Sequence, residues 1–258
     1  MTPRKLELME LIREVFFSKK RRYGSPRIWR ELKQRGIKVG KQMIEDLMRE
    51  MGLKARKKKR YRSTTDSNHS QPVAPNLLER NFDIKEVDTV WLSDITYLPL
   101  EDGGFVYLCV VMDLASREIV GWYADDNMEA QLVCQAFINA VLSRAQAPRG
   151  AIFHSDQGSQ YASKKFRQLL DLYGMVQSMS RRGQCWDNAP MESFFSSLKD
   201  EYDEEPTFWF TGLDDARSGL FDYIEIFYNR DRMHSGIGYQ IPACYTPTNP
   251  GGGTVDLT

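Results

Sequence analysis

Val90-Trp91-Leu92-Ser93-Asp94-Ile95-Thr96-Tyr97-Leu98 is rich in β-branched and aromatic residues and holds a single charge at its centre. Such a run reads as a strand, and the lone carboxylate of Asp94 is costly to bury without a partner. Two runs of the same kind follow, Phe105 to Asp113 and Glu118 to Ala124, separated by the turn sequences Asp102-Gly103-Gly104 and Ala115-Ser116-Arg117. Three consecutive antiparallel strands are expected. The periodicity then predicts a helix from Met128 to Ala145, a short buried strand from Ala151 to Ser155 and a helix capped by Ser163 and running to Tyr173. A strand from Met175 to Ser180, a helix from Met191 to Asp203 and a long last helix from Asp214 to Asn229 complete the pattern. The order βββαβαβα followed by a helix predicts an α/β fold, a mixed sheet with helices on its faces.

Upstream the pattern is all-helical. Leu6, Met9, Leu11, Ile12, Val15 and Phe16 recur at helical spacing between Pro3 and Phe17. Ser25-Pro26 reads as an N-cap and first helical residue, with Ile28, Trp29 and Leu32 inward and Gly36 as the stop. A third helix runs from Lys41 to Met51, with Met43, Ile44, Leu47 and Met48 inward. Three short helices with a tight turn between the last two form either a helix-turn-helix-like unit or a plain bundle with a solvated basic face.

Charge divides the chain at the same place. Residues 1–62 hold 21 Lys and Arg against 7 acids, and the other 196 residues hold 14 against 28, so the formal net charge of zero hides a basic leader on an acidic body. That asymmetry points to a polyanion, nucleic acid foremost. The run Lys54 to Arg62, with Lys57, Lys58, Lys59 and Arg60 at its centre, suits phosphate contacts that read no sequence. A polar Ser/Thr/Asn/Pro stretch follows. The boundaries expected are a leader over 1–62, a linker over 63–82, a main domain over 83–247 and a flexible tail over 248–258. Cys109, Cys134, Cys185 and Cys244 are too scattered for a zinc or redox motif and are expected as free thiols. No apolar run approaches 20 residues and no secretory signal opens the chain, so a cytoplasmic protein without a membrane partner is expected.

Asp156 directly follows Ile152-Phe-His-Ser, past the carboxyl end of a central strand, where open α/β sheets place ligands. Glu192 follows after 35 intervening residues, in the first turn of a helix opened by Asn188-Ala-Pro190. Singly, each acid has an ordinary explanation: backbone bonding for Asp94, an Asx turn for Asp156, the helix dipole for Glu192. Gathered on one face, three carboxylates repel unless a hard divalent cation neutralises them, and an oxygen-only set suits Mg²⁺ or Mn²⁺.

Trp91-x-x-Asp94-Ile-Thr-Tyr97, His154-Ser-Asp156-Gln-Gly-Ser-Gln-Tyr161 and Trp186-Asp-Asn-Ala-Pro-Met-Glu192 through Lys199 strongly resemble the Asp-Asp-(35)-Glu signature of retroviral-integrase-like insertion-sequence transposases. The likeness is to the second-reading-frame (orfB) product of insertion sequence family three. Tyr228-Asn229-Arg230, His234-Ser235 and Gly238-Tyr239 match the tail of that family, and the resemblance spans roughly residues 5–245. It implies a ribonuclease-H-like core preceded by a helix-turn-helix-like domain. It also implies two Mg²⁺ ions about 3.5–4 Å apart, Asp94 bridging both, Asp156 holding one and Glu192 the other. Double-stranded DNA, both element ends and target, is the implied partner, with a homo-oligomer and the first-frame product of the same element; the setting is a bacterial cytoplasm, at the nucleoid. No long leucine zipper is evident, so the chain is expected to be incomplete as a transposase by itself. His69, His154 and His234 do not build the zinc module of retroviral integrases.

Further candidates are Lys199 and Ser196, on the helix face of Glu192, and Arg181 and Arg182, which open a basic loop; together with Lys41 of the leader these are expected to meet DNA phosphates. His154 either positions a water or is a satisfied strand-end histidine. Trp91, Trp122 and Phe194 read as core. Two rival functions stay open, a ribonuclease-H-like structure-specific nuclease and a DNA-binding regulator or inactive domesticated remnant.

Overall fold

A computed structural model describes residues 2–55, 70–144, 147–181, 184–202 and 210–247. Lys57, Lys58, Lys59, Arg60, Arg182 and the tail over 248–258 lie outside the described residues, as does most of the first part of the linker. Two compact units result, Met1–Arg60 with Ser196–Glu204, and Tyr61–Phe195 with Glu205–Thr258.

In the smaller unit α1 (Pro3–Ser18), α2 (Ser25–Gln34) and α3 (Lys41–Glu50) enclose an apolar centre. α1 turns in Leu8, Ile12, Val15 and Phe16, a stripe at i, i+4, i+7 and i+8. Leu6, expected inward, lies about 200° from Leu8 around the helix and is half exposed, and Met43 of α3 is likewise turned out. α2 begins one residue earlier than its capping pattern suggests. Gly24 takes the cap position without a side-chain bond, and Ser25 is already helical. Glu201 belongs to this unit: Arg22 Nε donates to its backbone oxygen at 2.8 Å, and Arg27 Nη1 pairs with its carboxylate at 3.2 Å.

The larger unit is built on a five-stranded sheet in the order β3-β2-β1-β4-β5. Its strands are β1 (Val90–Pro99), β2 (Phe105–Asp113), β3 (Ile119–Asp125), β4 (Ile152–Ser155) and β5 (Val176–Met179). β1 to β3 form the expected antiparallel meander, from Trp91 opposite Asp113 to Pro99 opposite Phe105. Gly103 at φ +87° makes the first turn, where a side chain would be strained. β4 lies parallel to β1, and β5 parallel to β4.

Phe137 of α4 (Ala130–Ser143) fills the centre of the covered face, its ring edge-on to Trp91, Phe153, Phe166 and Tyr173 at 5.5–6.3 Å. Trp91 and Phe194 are buried as expected. Trp122 is only half-buried and donates its indole N–H to Glu225 at 2.9 Å. β3 is a sheet edge, and side chains occupy alternate carbonyls along it. Ser143 Oγ donates to Val120 O, Asn139 Nδ2 to Trp122 O and Arg217 Nε to Ala124 O, while Asn229 exchanges two bonds with the backbone of Ile119. An edge so occupied is closed to strand addition.

α5 (Ser159–Ala162) is a one-turn helix that periodicity is too short to reveal. α6 (Lys164–Tyr173) carries the expected cap, Ser163 Oγ accepting from Phe166 N. α7 spans Ala189–Tyr202. The last long helix is not one regular element: α8 (Leu213–Phe221) passes into a π-helical stretch over Asp222–Tyr228, where the wider turn buries Tyr223, Ile224, Phe227 and Tyr228.

Candidate active site

The parallel ladder between β1 and β4 pairs Val90 with Ile152, Trp91 with Phe153 and Leu92 with His154. Two residues further along both chains stand Asp94 and Asp156. Carrying the register two residues further brings Asp94, in the middle of β1, level with Asp156, just past the end of β4, on strands whose usual spacing is about 4.8 Å. Both are half-buried. Asp94 Oδ1 accepts from Ile95 N at 2.8 Å, and Asp156 Oδ1 accepts from Gly158 N at 2.9 Å in an Asx turn. The ordinary explanations of these acids are therefore real, and they coexist with the pairing.

Beneath the pair lies a buried polar group. Ser93 Oγ and Tyr161 Oη are 2.8 Å apart, and Cys109 Sγ is 3.6 Å from the first and 3.5 Å from the second. Burial pushes the Cys109 thiol up to about 12 and the Tyr161 phenol well above its usual range, and the charges of both Asp94 and Asp156 act in the same direction on each. Cys109, Cys134 and Cys244 are free thiols.

Glu192 occupies the first turn of α7 and is exposed. The turn before it, Cys185–Asn188, is anchored twice. Asn188 Nδ2 donates to Ser93 O at 3.1 Å, tying the helix start to β1 next to Asp94; its buried Oδ1 has no partner among the described residues. Asp187 has no exposed side-chain area. Its Oδ1 accepts from Arg80 Nε at 2.6 Å and Arg181 Nη2 at 3.3 Å, and its Oδ2 from Asn76 Nδ2 at 3.0 Å, Arg181 N at 3.0 Å and Arg181 Nε at 3.1 Å. Burial pushes this carboxyl up, but the bonds from Arg181 and Arg80 outweigh it and hold the group well below the usual range. Among the described residues no three Asp, Glu, His or Cys side chains form a ready metal-binding cluster: Asp94 lies in β1, Asp156 directly after β4 and Glu192 on α7.

His154 is buried and doubly bonded. Its Nε2 lies 3.2 Å from Asp187 O, which can only accept, so Nδ1 accepts from Ser178 Oγ at 2.9 Å, and Ser178 Oγ accepts in turn from Leu77 N. Burial lowers its pKa to about 4 against the opposing bond to Asp187, leaving it neutral at pH 7. Of the two alternatives for this histidine, the satisfied strand-end residue is the one observed.

The other predicted contacts divide. Arg181 is engaged with Asp187, although its side chain stays 61% exposed. Lys41 is exposed at the start of α3. Lys199 is only 9% exposed and Ser196 bonds Asp200 at 3.5 Å; both group with the smaller unit. Asp187, Asn188, Asn76 and Arg80 were not visible as site residues in the sequence. The available signal was the Trp186-Asp-Asn string itself, in which Trp186, 66% exposed, directly precedes two buried polar anchors.

A mixed sheet in this strand order, preceded by a helical leader, is matched by integrase-type proteins. Residues 85–185 and 173–242 match two models described as integrase core domain, and residues 3–61 match an HTH-like domain. A chain of the simian T-cell lymphotropic virus intasome, solved with PP2A regulatory subunit B56 gamma, shares the fold at a TM-score of 0.51 and 12% identity, over 96% of this chain and 79% of that one. Among curated relatives, the uncharacterized 31 kDa protein of insertion element IS600 from Shigella sonnei is 41% identical over 86% of this chain and 80% of its own. The transposase for insertion sequence element IS904 from Lactococcus lactis is 39% identical over 94% of both, and transposase InsF for IS3A from Escherichia coli 38% identical over 91% and 80%. The chain belongs to the insertion-sequence transposases of the IS3 family. No helix among the described residues is long and apolar enough to cross a membrane.

Proposed function

We propose that this protein cleaves DNA at insertion-element ends and transfers the freed strand into target DNA, with Asp94, Asp156 and Glu192 as its catalytic carboxylates. The observation that supports it most is the β1–β4 register, whose last pair, Leu92 with His154, stands two residues before both Asp94 and Asp156. The donors fit a hard cation: carboxylate oxygens only, with the unpartnered Asn188 Oδ1 close to Ser93, while the nearby Cys109 stays a thiol and His154 is fully engaged. The three acids would hold two Mg²⁺ ions, which Mn²⁺ can replace; such ions polarise the attacking and leaving oxygens at phosphorus.

Chemically, each step exchanges one P–O bond for another. Water's oxygen bonds to phosphorus as the bond to the element's 3′ oxygen breaks, leaving a 3′-OH. That 3′-OH then attacks a target phosphorus while the target's own 3′ oxygen departs. Neither step needs a covalent enzyme intermediate. In this reading residues 1–62 capture duplex DNA, 63–82 link, and 83–247 carry the chemistry; joining two element ends in one event requires at least two copies. Incubation with Mg²⁺ and labelled element-end DNA, beside an Asp156→Asn variant, tests it. Strand joining lost in the variant is the expected result. Cleavage without joining identifies a nuclease, and binding without either reaction identifies a regulator.

A further inference from the structure

In a helix-turn-helix arrangement the second helix of the motif enters the major groove, which here is α3. Its charge is wrong for that task. Beyond Lys41, α3 holds Glu45, Asp46 and Glu50 against Arg49 alone. Every one of the seven acids among residues 1–62 faces a cation. Those of α1 pair with Arg4, Arg13 and Arg35, Glu31 of α2 also with Arg35, and those of α3 with Arg49 and Lys5. The surfaces of α1 and α3 are thereby largely neutralised by their own side chains.

Positive charge is concentrated elsewhere. Residues 25–41, α2 and the loop after it, hold six cations against the single acid Glu31. Trp29 organises them. Its Nε1 donates to Val39 O at 2.9 Å, drawing the loop that carries Lys38, just before Lys41 at the start of α3, onto the helix. The Arg30 guanidinium lies 4.8 Å, and the Lys33 ammonium 5.5 Å, from the Trp29 ring centroid. Lys33, Lys38 and Lys41 are exposed, and no carboxylate among the described residues pairs with them.

We propose that the patch around Trp29, formed by the second half of α2, the α2–α3 loop and the first residue of α3, is the surface on which the leader docks duplex DNA, with Lys33, Lys38 and Lys41 on backbone phosphates and the rest of α3 not serving as the reading helix. The assignment rests on the DNA-processing reading above. It is tested on the full chain, by fluorescence anisotropy with a labelled duplex of about 30 base pairs, in EDTA, across a salt series. A Lys33→Gln/Lys38→Gln/Lys41→Gln variant is expected to bind about tenfold or more weakly near 0.1 M salt, with the log–log salt slope shallower by about 0.9 for each phosphate contact removed. The matching Lys→Arg triple variant keeps the charge and restores both. A Gln42→Ala/Arg49→Ala variant of α3 stays within about twofold of wild type. Wild-type slope and affinity in the Gln variant, or an equal loss in the α3 variant, overturns the assignment while DNA binding itself stands. A wild-type chain that binds no duplex at any salt sinks the functional reading along with it. Thermal melting within about 2 °C of wild type confirms that the variants are folded, as expected for exposed lysines.

Discussion

Asp187→Asn is the sharpest probe of what holds the third acid's helix in place. Every partner of this buried carboxylate is a donor: Arg80 Nε and Arg181 Nη2 on Oδ1, and Asn76 Nδ2, Arg181 N and Arg181 Nε on Oδ2. An amide of the same shape must therefore set its NH₂ against either two or three donors, whichever way it turns. The cations stay partly in water after the change, so the cost falls below that of orphaning a buried charge. Losing the charge-assisted bonds and gaining a donor–donor clash costs about 2–4 kcal/mol. For a chain of this size that lowers Tm by roughly 5–10 °C at pH 7. The pH dependence carries the sign. A carboxyl held below its unfolded value of about 3.9 contributes stability that is present above that pH and is lost as pH falls through the folded value. The gap in Tm between wild type and variant should thus narrow below about pH 4. Calorimetric melts from pH 7 to pH 3 measure it. A gap of constant size over that range, or no gap at pH 7, would refute the picture of an ionised hub.

Substitutions at three further positions test other joints. At Gly121 an added Cβ would stand 2.4 Å from Ala140 N and 2.5 Å from Ala136 O, both helix backbone, so Gly121→Ala should destabilise by about 3 kcal/mol or more; a urea midpoint equal to wild type would show that α4 does not press on β3. Asn229→Asp removes the donor to Ile119 O and turns a carboxylate toward that carbonyl, an expected loss of about 2 kcal/mol in chemical denaturation, with Asn229→Ala no worse. Tyr161→Phe takes the hydroxyl from Ser93, beside Asp94, and should cost about 1 kcal/mol of stability and about tenfold in Mg²⁺-dependent cleavage; equal losses in DNA affinity and cleavage would count against a role in placing the acids.

The elements that a period of two or of 3.6 can reveal were legible: all five strands and the α6 cap fall where the pattern of apolar and turn residues puts them. The register was not. Nothing local to Val90–Leu98 states that its parallel partner is the strand ending at Ser155, because that pairing is set by the crossover through α4 and by burial around Phe137. Asp187 was hidden for the same reason, since it is bonded to Asn76 and Arg80, more than a hundred residues away in the chain. A carboxylate between Trp186 and Asn188 reads as a turn residue until those partners arrive. Trp122 went the other way: its composition says core, but β3 is an edge, and the ring is left half in water with its N–H on Glu225.

The three acids are held by different means, and that difference bears on how the site can be perturbed. Asp94 sits within β1 and Asp156 directly after β4, each two residues beyond the last pair of the ladder between those strands, so their placement follows mainly from the backbone. Glu192 has no such ladder. Its helix start is fixed by side chains, Asn188 on the Ser93 carbonyl and Asp187 on Arg80 and Arg181, with His154 bonded to the Asp187 carbonyl from β4. Two of these links reach directly into the strands that carry the other acids: Ser93 adjoins Asp94, and His154 stands two residues before Asp156. Loosening the Cys185–Asn188 turn therefore frees Glu192 while leaving the Asp94–Asp156 pair intact. Substitutions at Asp187 or Asn188 should for that reason lower cleavage through the third acid, and binding of DNA by the leader should be indifferent to them.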